Sequence, residues 1–129
     1  MIERLDHINL RTTRLDEMIA WYGEVLELTP GPRPPFDFPG AWLYAGDLAL
    51  VHLVGIEHEA GSDPDDLKLE HGAFSAKGFT KLIERLKARG DRYRTFRVPG
   101  FPIVQVNVWD PDGNHLHVDF DAAEAPADL

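Results

Sequence analysis

The chain of 129 residues contains no cysteine, which excludes disulfides and thiolate metal ligands and fits a cytoplasmic protein better than a secreted one. It has no apolar run long enough to cross a bilayer, and Met1-Ile2-Glu3-Arg4 lacks the apolar core of a signal peptide. Positive charge is scarce: 13 Lys and Arg against 22 Asp and Glu leave a formal net charge of −9. That balance excludes nucleic acid as an expected partner, because phosphate binding needs a basic face. Much of the acid lies in Glu57 to Asp66 and in Asp121 to Leu129, which read as solvated segments. The length suits one compact domain.

What is present is histidine at repeating positions. His7 in Leu5-Asp6-His7-Ile8-Asn9-Leu10 and His71 in Leu69-Glu70-His71-Gly72-Ala73-Phe74 are 64 residues apart. His52 in Leu50-Val51-His52-Leu53 and His117 in His115-Leu116-His117-Val118 are 65 apart. Two nearly equal spacings imply an internal duplication in which each half projects one imidazole from each of two equivalent strands. A pseudo-two-fold axis then brings the four together as a metal site, since neutral imidazole suits zinc, nickel, iron and copper.

The helices repeat too. Met18, Ile19, Tyr22, Val25 and Leu26 make a helical stripe over residues 15–26, with Thr13 as the expected N-cap and Asp16 and Glu17 in the first turn. Phe79, Leu82, Ile83 and Leu86 make the matching stripe over residues 79–90, ending at Gly90. Strand candidates follow in each half: 41–44 and 48–54, then 103–109 and 115–120, the last pair joined by the turn Asp110-Pro111-Asp112-Gly113-Asn114. The order is βαβββ, twice. Residues 30–40, rich in proline and glycine, read as a surface loop or a lid.

Alternation assigns the faces. Val104, Val106 and Val108 share one face and Gln105, Asn107 and Trp109 the other; the valines belong under the helix. The same parity places Ile8, Leu10 and Phe74 under the helices, and all four repeated histidines on the helix-free face. The expected class is α+β: two tandem βαβββ modules forming a cup-shaped mixed sheet with helices on the outer face. The expected bounds are module one at about 3–55, an acidic linker at about 56–67, module two at about 68–120 and a flexible tail at 121–129, all within a single domain spanning 1–129.

This pattern resembles the vicinal oxygen chelate superfamily, which includes glyoxalase I, extradiol dioxygenases, fosfomycin-resistance proteins and bleomycin-binding proteins. The residues that carry the resemblance are the paired modules, the first-strand histidines, Asp110-Pro111-Asp112-Gly113-Asn114 before the last strand, and Gly40-Ala41-Trp42-Leu43-Tyr44 running into Val51-His52-Leu53. It implies one divalent metal (zinc, nickel or iron) held by His7, His52, His71 and His117, a small oxygen-chelating substrate, and a homodimer. Glyoxalases usually carry glutamate at the positions of His52 and His117, where it serves as charge and as base. An all-histidine set leaves the metal a stronger Lewis acid and removes that base.

Asn9, Arg11, Ser75, Gln105, Asn107 and Asp119 are candidate lining groups, with Arg11 suited to a carboxylate or enolate. Trp42, Tyr44 and Trp109 are a candidate aromatic wall. The acidic linker is expected to leave His58 solvated, and His115 is expected at the rim, not among the ligands. No residue is singled out as catalytic. Three functions follow: a metal-dependent lyase or isomerase of the glyoxalase kind, a ferrous extradiol-type dioxygenase, and a metal-free resistance protein that sequesters its ligand. Four histidines at ligand positions favour the first.

Overall fold

The computed structural model describes residues 1, 3–61, 63, 67 and 69–129. They fall into two units, Met1–Ser62 and Asp63–Leu129, here modules one and two. Residues 62 and 64–66 of the expected linker lie outside the described residues.

Module one comprises β1 (Ile8–Thr12), α1 (Leu15–Leu26), β2 (Thr29–Gly31), β3 (Gly40–Ala45) and β4 (Leu48–Gly55). Module two repeats it as β5 (Gly72–Ser75), α2 (Phe79–Arg89), β6 (Tyr93–Arg97), β7 (Ile103–Trp109) and β8 (His115–Asp121). The sheets have the orders β1-β4-β3-β2 and β5-β8-β7-β6. In each, the first strand pairs parallel to the last and the other pairings are antiparallel. The class is therefore α+β with two tandem βαβββ modules, as the repeat predicts. No described helix is long and apolar enough to cross a membrane.

The stripes explain the helices. In α1, Met18, Trp21, Tyr22 and Val25 are buried, and Leu43, Val51 and Leu53 of β3 and β4 are buried as well. In α2, Phe79, Leu82 and Leu86 are buried; Phe79 meets Phe120 of β8 edge to face at 5.7 Å. Each fully buried side chain of this size contributes about 1.5–3 kcal/mol.

Three sequence expectations change. Thr13 is not the N-cap of α1. That position falls to Arg14, which has no side-chain cap; Thr12 Oγ1 accepts from Arg14 N at 2.9 Å, and Thr13 Oγ1 donates to Glu59. The proline-rich stretch contains a strand, β2, on the sheet edge, where Pro30 costs no interior ladder bond. A Cβ on Gly31 would lie 2.7 Å from the Tyr44 ring, so only glycine lets that ring lie over β2. The segment expected as a flexible tail is tied down: β8 runs to Asp121, residues 122–124 form a 3-10 turn, and Arg97 donates to the carbonyls of Ala122, Ala125 and Pro126. Glu124 Oε2 accepts from Gly78 N and Phe79 N at 2.6 and 3.1 Å, capping α2.

Candidate functional site

The histidines are placed by the strands and by one turn. Asp110, 4% exposed, accepts from Asp112 N, Asn114 N and Asn114 Nδ2, while Gly113 takes φ 82° and donates to Asp110 O. This knot sets the β7–β8 register, in which Asn107 faces His117 and Trp109 faces His115. Cross-strand partners share a sheet face. His115 and His117 therefore share the helix-free face with Gln105, Asn107 and Ala73.

In module one, His7 and His52 stack with ring centroids 3.7 Å apart and planes 11° apart; Trp42 stacks on the other side of His52 at 4.0 Å. His7 Nδ1 donates to Asp6 Oδ1 at 2.7 Å, and this bond holds the Asp6 carboxyl below its ordinary range. His52 is 7% exposed and its Nε2 is buried without a hydrogen-bond partner. Burial, reinforced by His7, keeps its imidazole below the usual histidine pKa. A cavity of about 570 Å³ opens beside this stack, its lining including Asp6, His7, Trp42, Tyr44 and His52.

In module two, His71 and His117 stack at 3.9 Å and 14°, and His115 stands edge-on to both at 5.6 and 4.9 Å. Glu70 accepts from His71 Nδ1 through one oxygen and from His115 Nδ1 through the other, which pulls its pKa down to about 2. His115 Nε2 lies 2.9 Å from Asn107 Oδ1. Burial first, then His71 and His115, lowers the pKa of His117. One potential donor atom from each of His71, His115 and His117 lies within 4.8 Å of the others. A cavity of about 430 Å³ adjoins them, its lining including Glu70, Gln105, Asn107, His115 and His117.

The structure thus brings His7 to His52, and His71 to His117, and adds His115, which the sequence reading sets at the rim. Its signal was parity with His117; Glu70 as the shared acceptor had none. Trp42 and Tyr44 line the first cavity, and Tyr44 Oη donates to Pro32 O. Gln105 and Asn107 line the second. Trp109 stacks on His115 at 5.0 Å, and the Arg92 guanidinium lies over the indole at 3.8 Å from its centroid. Asn9, Arg11 and Ser75 are exposed and line neither cavity, although Asn9 is the register partner of His52. Asp119 is partly buried beside Ser75 and Gln105, with Oδ1 unpartnered.

A divalent metal fits these donors. The lowered pKa values of His52 and His117 favour neutral rings that offer lone pairs, the buried Nε2 of His52 lacks any other partner, and the carboxylates on the Nδ1 atoms of His7 and His71 are the outer partners that histidine ligands commonly have.

Residues 4–118 match the family described as the Glyoxalase/Bleomycin resistance protein/Dioxygenase superfamily. A curated relative, Glyoxylase I 4 of Arabidopsis thaliana, is 26% identical over 125 residues, covering 88% of this chain and 68% of that protein. Among solved structures, a glyoxalase-family protein of Bacillus anthracis superposes with a TM-score of 0.76 at 20% identity, over 94% of this chain and 97% of that one. The fosfomycin resistance protein of Listeria monocytogenes gives 0.69 at 16% identity, over 93% and 94%. At such identities the two structures share the fold.

Proposed function

The chain belongs to the Glyoxalase/Bleomycin resistance protein/Dioxygenase superfamily, and on that footing we propose that it is a divalent-metal-dependent enzyme acting on a small molecule with adjacent oxygens. The observation that carries this reading is the convergence of His71, His115 and His117, with donor atoms within 4.8 Å of one another. Each module supplies its own stacked pair of candidate ligands, His7 and His52 in module one and His71 and His117 in module two, with His115 as an additional imidazole in module two; zinc, nickel and iron suit such donors. The bound ion supplies Lewis acidity toward a carbonyl, enolate or oxyanion.

The protein's own groups do the rest. Glu70 takes the Nδ1 proton of His71, which leaves Nε2 of that ring as the lone pair, and holds His115 through its Nδ1 while His115 Nε2 faces Asn107 Oδ1. Gln105 offers its amide group to polar atoms of a ligand in the second cavity, while the Asn107 amide is held between Arg94 O and His115 Nε2. Glu70, with its pKa near 2, is a poor general base at neutral pH, and the positions usually held by glutamate carry His52 and His117. Isomerisation of the methylglyoxal–glutathione adduct is therefore slow in this reading.

The test is elemental analysis of untagged protein purified without added metal, beside the double variant His71→Ala/His117→Ala. Bound metal in the parent and loss in the variant support the proposal; full occupancy in the variant overturns it. An efficient, chelator-sensitive glyoxalase rate would overturn the part assigned to His52 and His117.

A further inference from the structure

The helix-free face of module two carries a cation that the metal reading does not use. Arg94 pairs with Asn107, which pairs with His117, so the three side chains form one row across β6, β7 and β8. Phe96, Gln105 and Asp119 form the next row. Arg94 and Phe96 line the same 430 Å³ cavity as His115 and His117. Phe96 is 49% exposed, costly for an aromatic side chain with nothing to cover it.

Several arginines of the chain are engaged, Arg89 with Asp91, Arg97 with the C-terminal carbonyls, Arg92 on Trp109 and Arg33 over Phe36 and Phe38, while Arg4 lines the cavity of module one. The Arg94 guanidinium has no partner among the described residues; its backbone carbonyl accepts from Asn107 Nδ2. Arg94 is exposed at the cavity wall in a chain of net charge −9, and its planar fork matches the geometry of a carboxylate. Strands lie about 4.8 Å apart, so the Arg94 backbone stands about 10 Å from that of His117. A carboxylate on Arg94 is then a different group from the oxygens that meet the histidines.

We propose that the ligand of this cavity is a small organic acid whose carboxylate is taken by Arg94 and whose apolar or aryl arm packs on Phe96, leaving its other oxygens toward His115 and His117. Only the last clause rests on the metal reading. Arg11, the sequence-level candidate for this task, is on β1 in module one and lines neither cavity.

The test uses 3-phenylpropionate and 3-phenyl-1-propanol, which share an aryl arm and have no adjacent oxygens to chelate a metal, titrated calorimetrically into the metal-depleted full chain. The acid is expected to bind at least about tenfold more tightly than the alcohol, and Arg94→Gln to abolish that preference. Arg94→Lys should restore part of it, as a charge without the fork. Phe96→Ser should weaken acid and alcohol alike. No binding of the acid at millimolar concentration, equal binding of the two probes, or loss in Arg11→Gln in place of Arg94→Gln overturns the proposal. Metal content read on the same proteins separates the two claims: Arg94→Gln keeps its metal, and a parent chain that binds the acid but no metal defeats the metal reading alone.

Discussion

Modules one and two share a topology and one stacked histidine pair apiece, 3.7 Å apart in the first and 3.9 Å in the second, yet the surroundings of those pairs differ. Where module one has Trp42 beside the second histidine, module two has Asn107. Where module one has Leu50 two residues before it, module two has His115. Asp6 reaches one imidazole, whereas Glu70, one methylene longer, bridges two. A duplicated backbone thus supports an aromatic, two-imidazole stack in one copy and a polar, three-imidazole cluster in the other.

The largest effect that tests this contrast is on metal affinity. His117→Ala should weaken metal binding by about a hundredfold or more, beyond the range of an outer-partner loss, and by more than His52→Ala. Equal losses, measured by competition with a chromogenic chelator, would erase the asymmetry. Next, Glu70→Gln should cost about 10–100-fold in affinity because the amide keeps one acceptor oxygen where the carboxylate served two imidazoles, and Asp6→Asn should cost less.

A smaller effect separates the helices. Glu124→Gln should destabilise the chain by about 1 kcal/mol in urea unfolding, since the carboxylate caps α2 and meets its N-terminal dipole, while α1 has no side-chain cap to lose. The smallest effect is a slope. His52 and His117 have folded pKa values below the ordinary 6.5, so the unfolded chain takes up their protons first. In the metal-depleted protein, stability is therefore full above pH 6.5 and falls as the pH is lowered through the folded values. His52→Leu and His117→Leu should each flatten that decline; a variant that leaves it unchanged removes its module from the account.

Period and parity made the framework legible in the sequence. The histidine spacings located the duplication, the stripes located α1 and α2, and alternation placed Val104, Val106 and Val108 in the core and Gln105 and Asn107 opposite. What stayed hidden depends on partners distant in sequence. Strand β2 is three residues long and exists through its pairing with β3. Strand β6 was obscured because Phe96 falls on the same face as Arg94, which breaks the apolar–polar alternation, and with it went Arg94. Glu70 lies 45 residues from His115, and no local pattern announces that bond.

The two stacks have an optical consequence. Trp42 lies 4.0 Å from His52 and Trp109 lies 5.0 Å from His115, while the third indole, Trp21, is buried in α1 against Tyr22. Each module therefore carries its own fluorophore in contact with one of its imidazoles. On a Trp21→Phe background, a Trp109→Phe chain leaves Trp42 to report on module one, and a Trp42→Phe chain leaves Trp109 to report on module two. Quenching by nickel, followed in the two variants, turns the order in which the modules respond into a difference in emission.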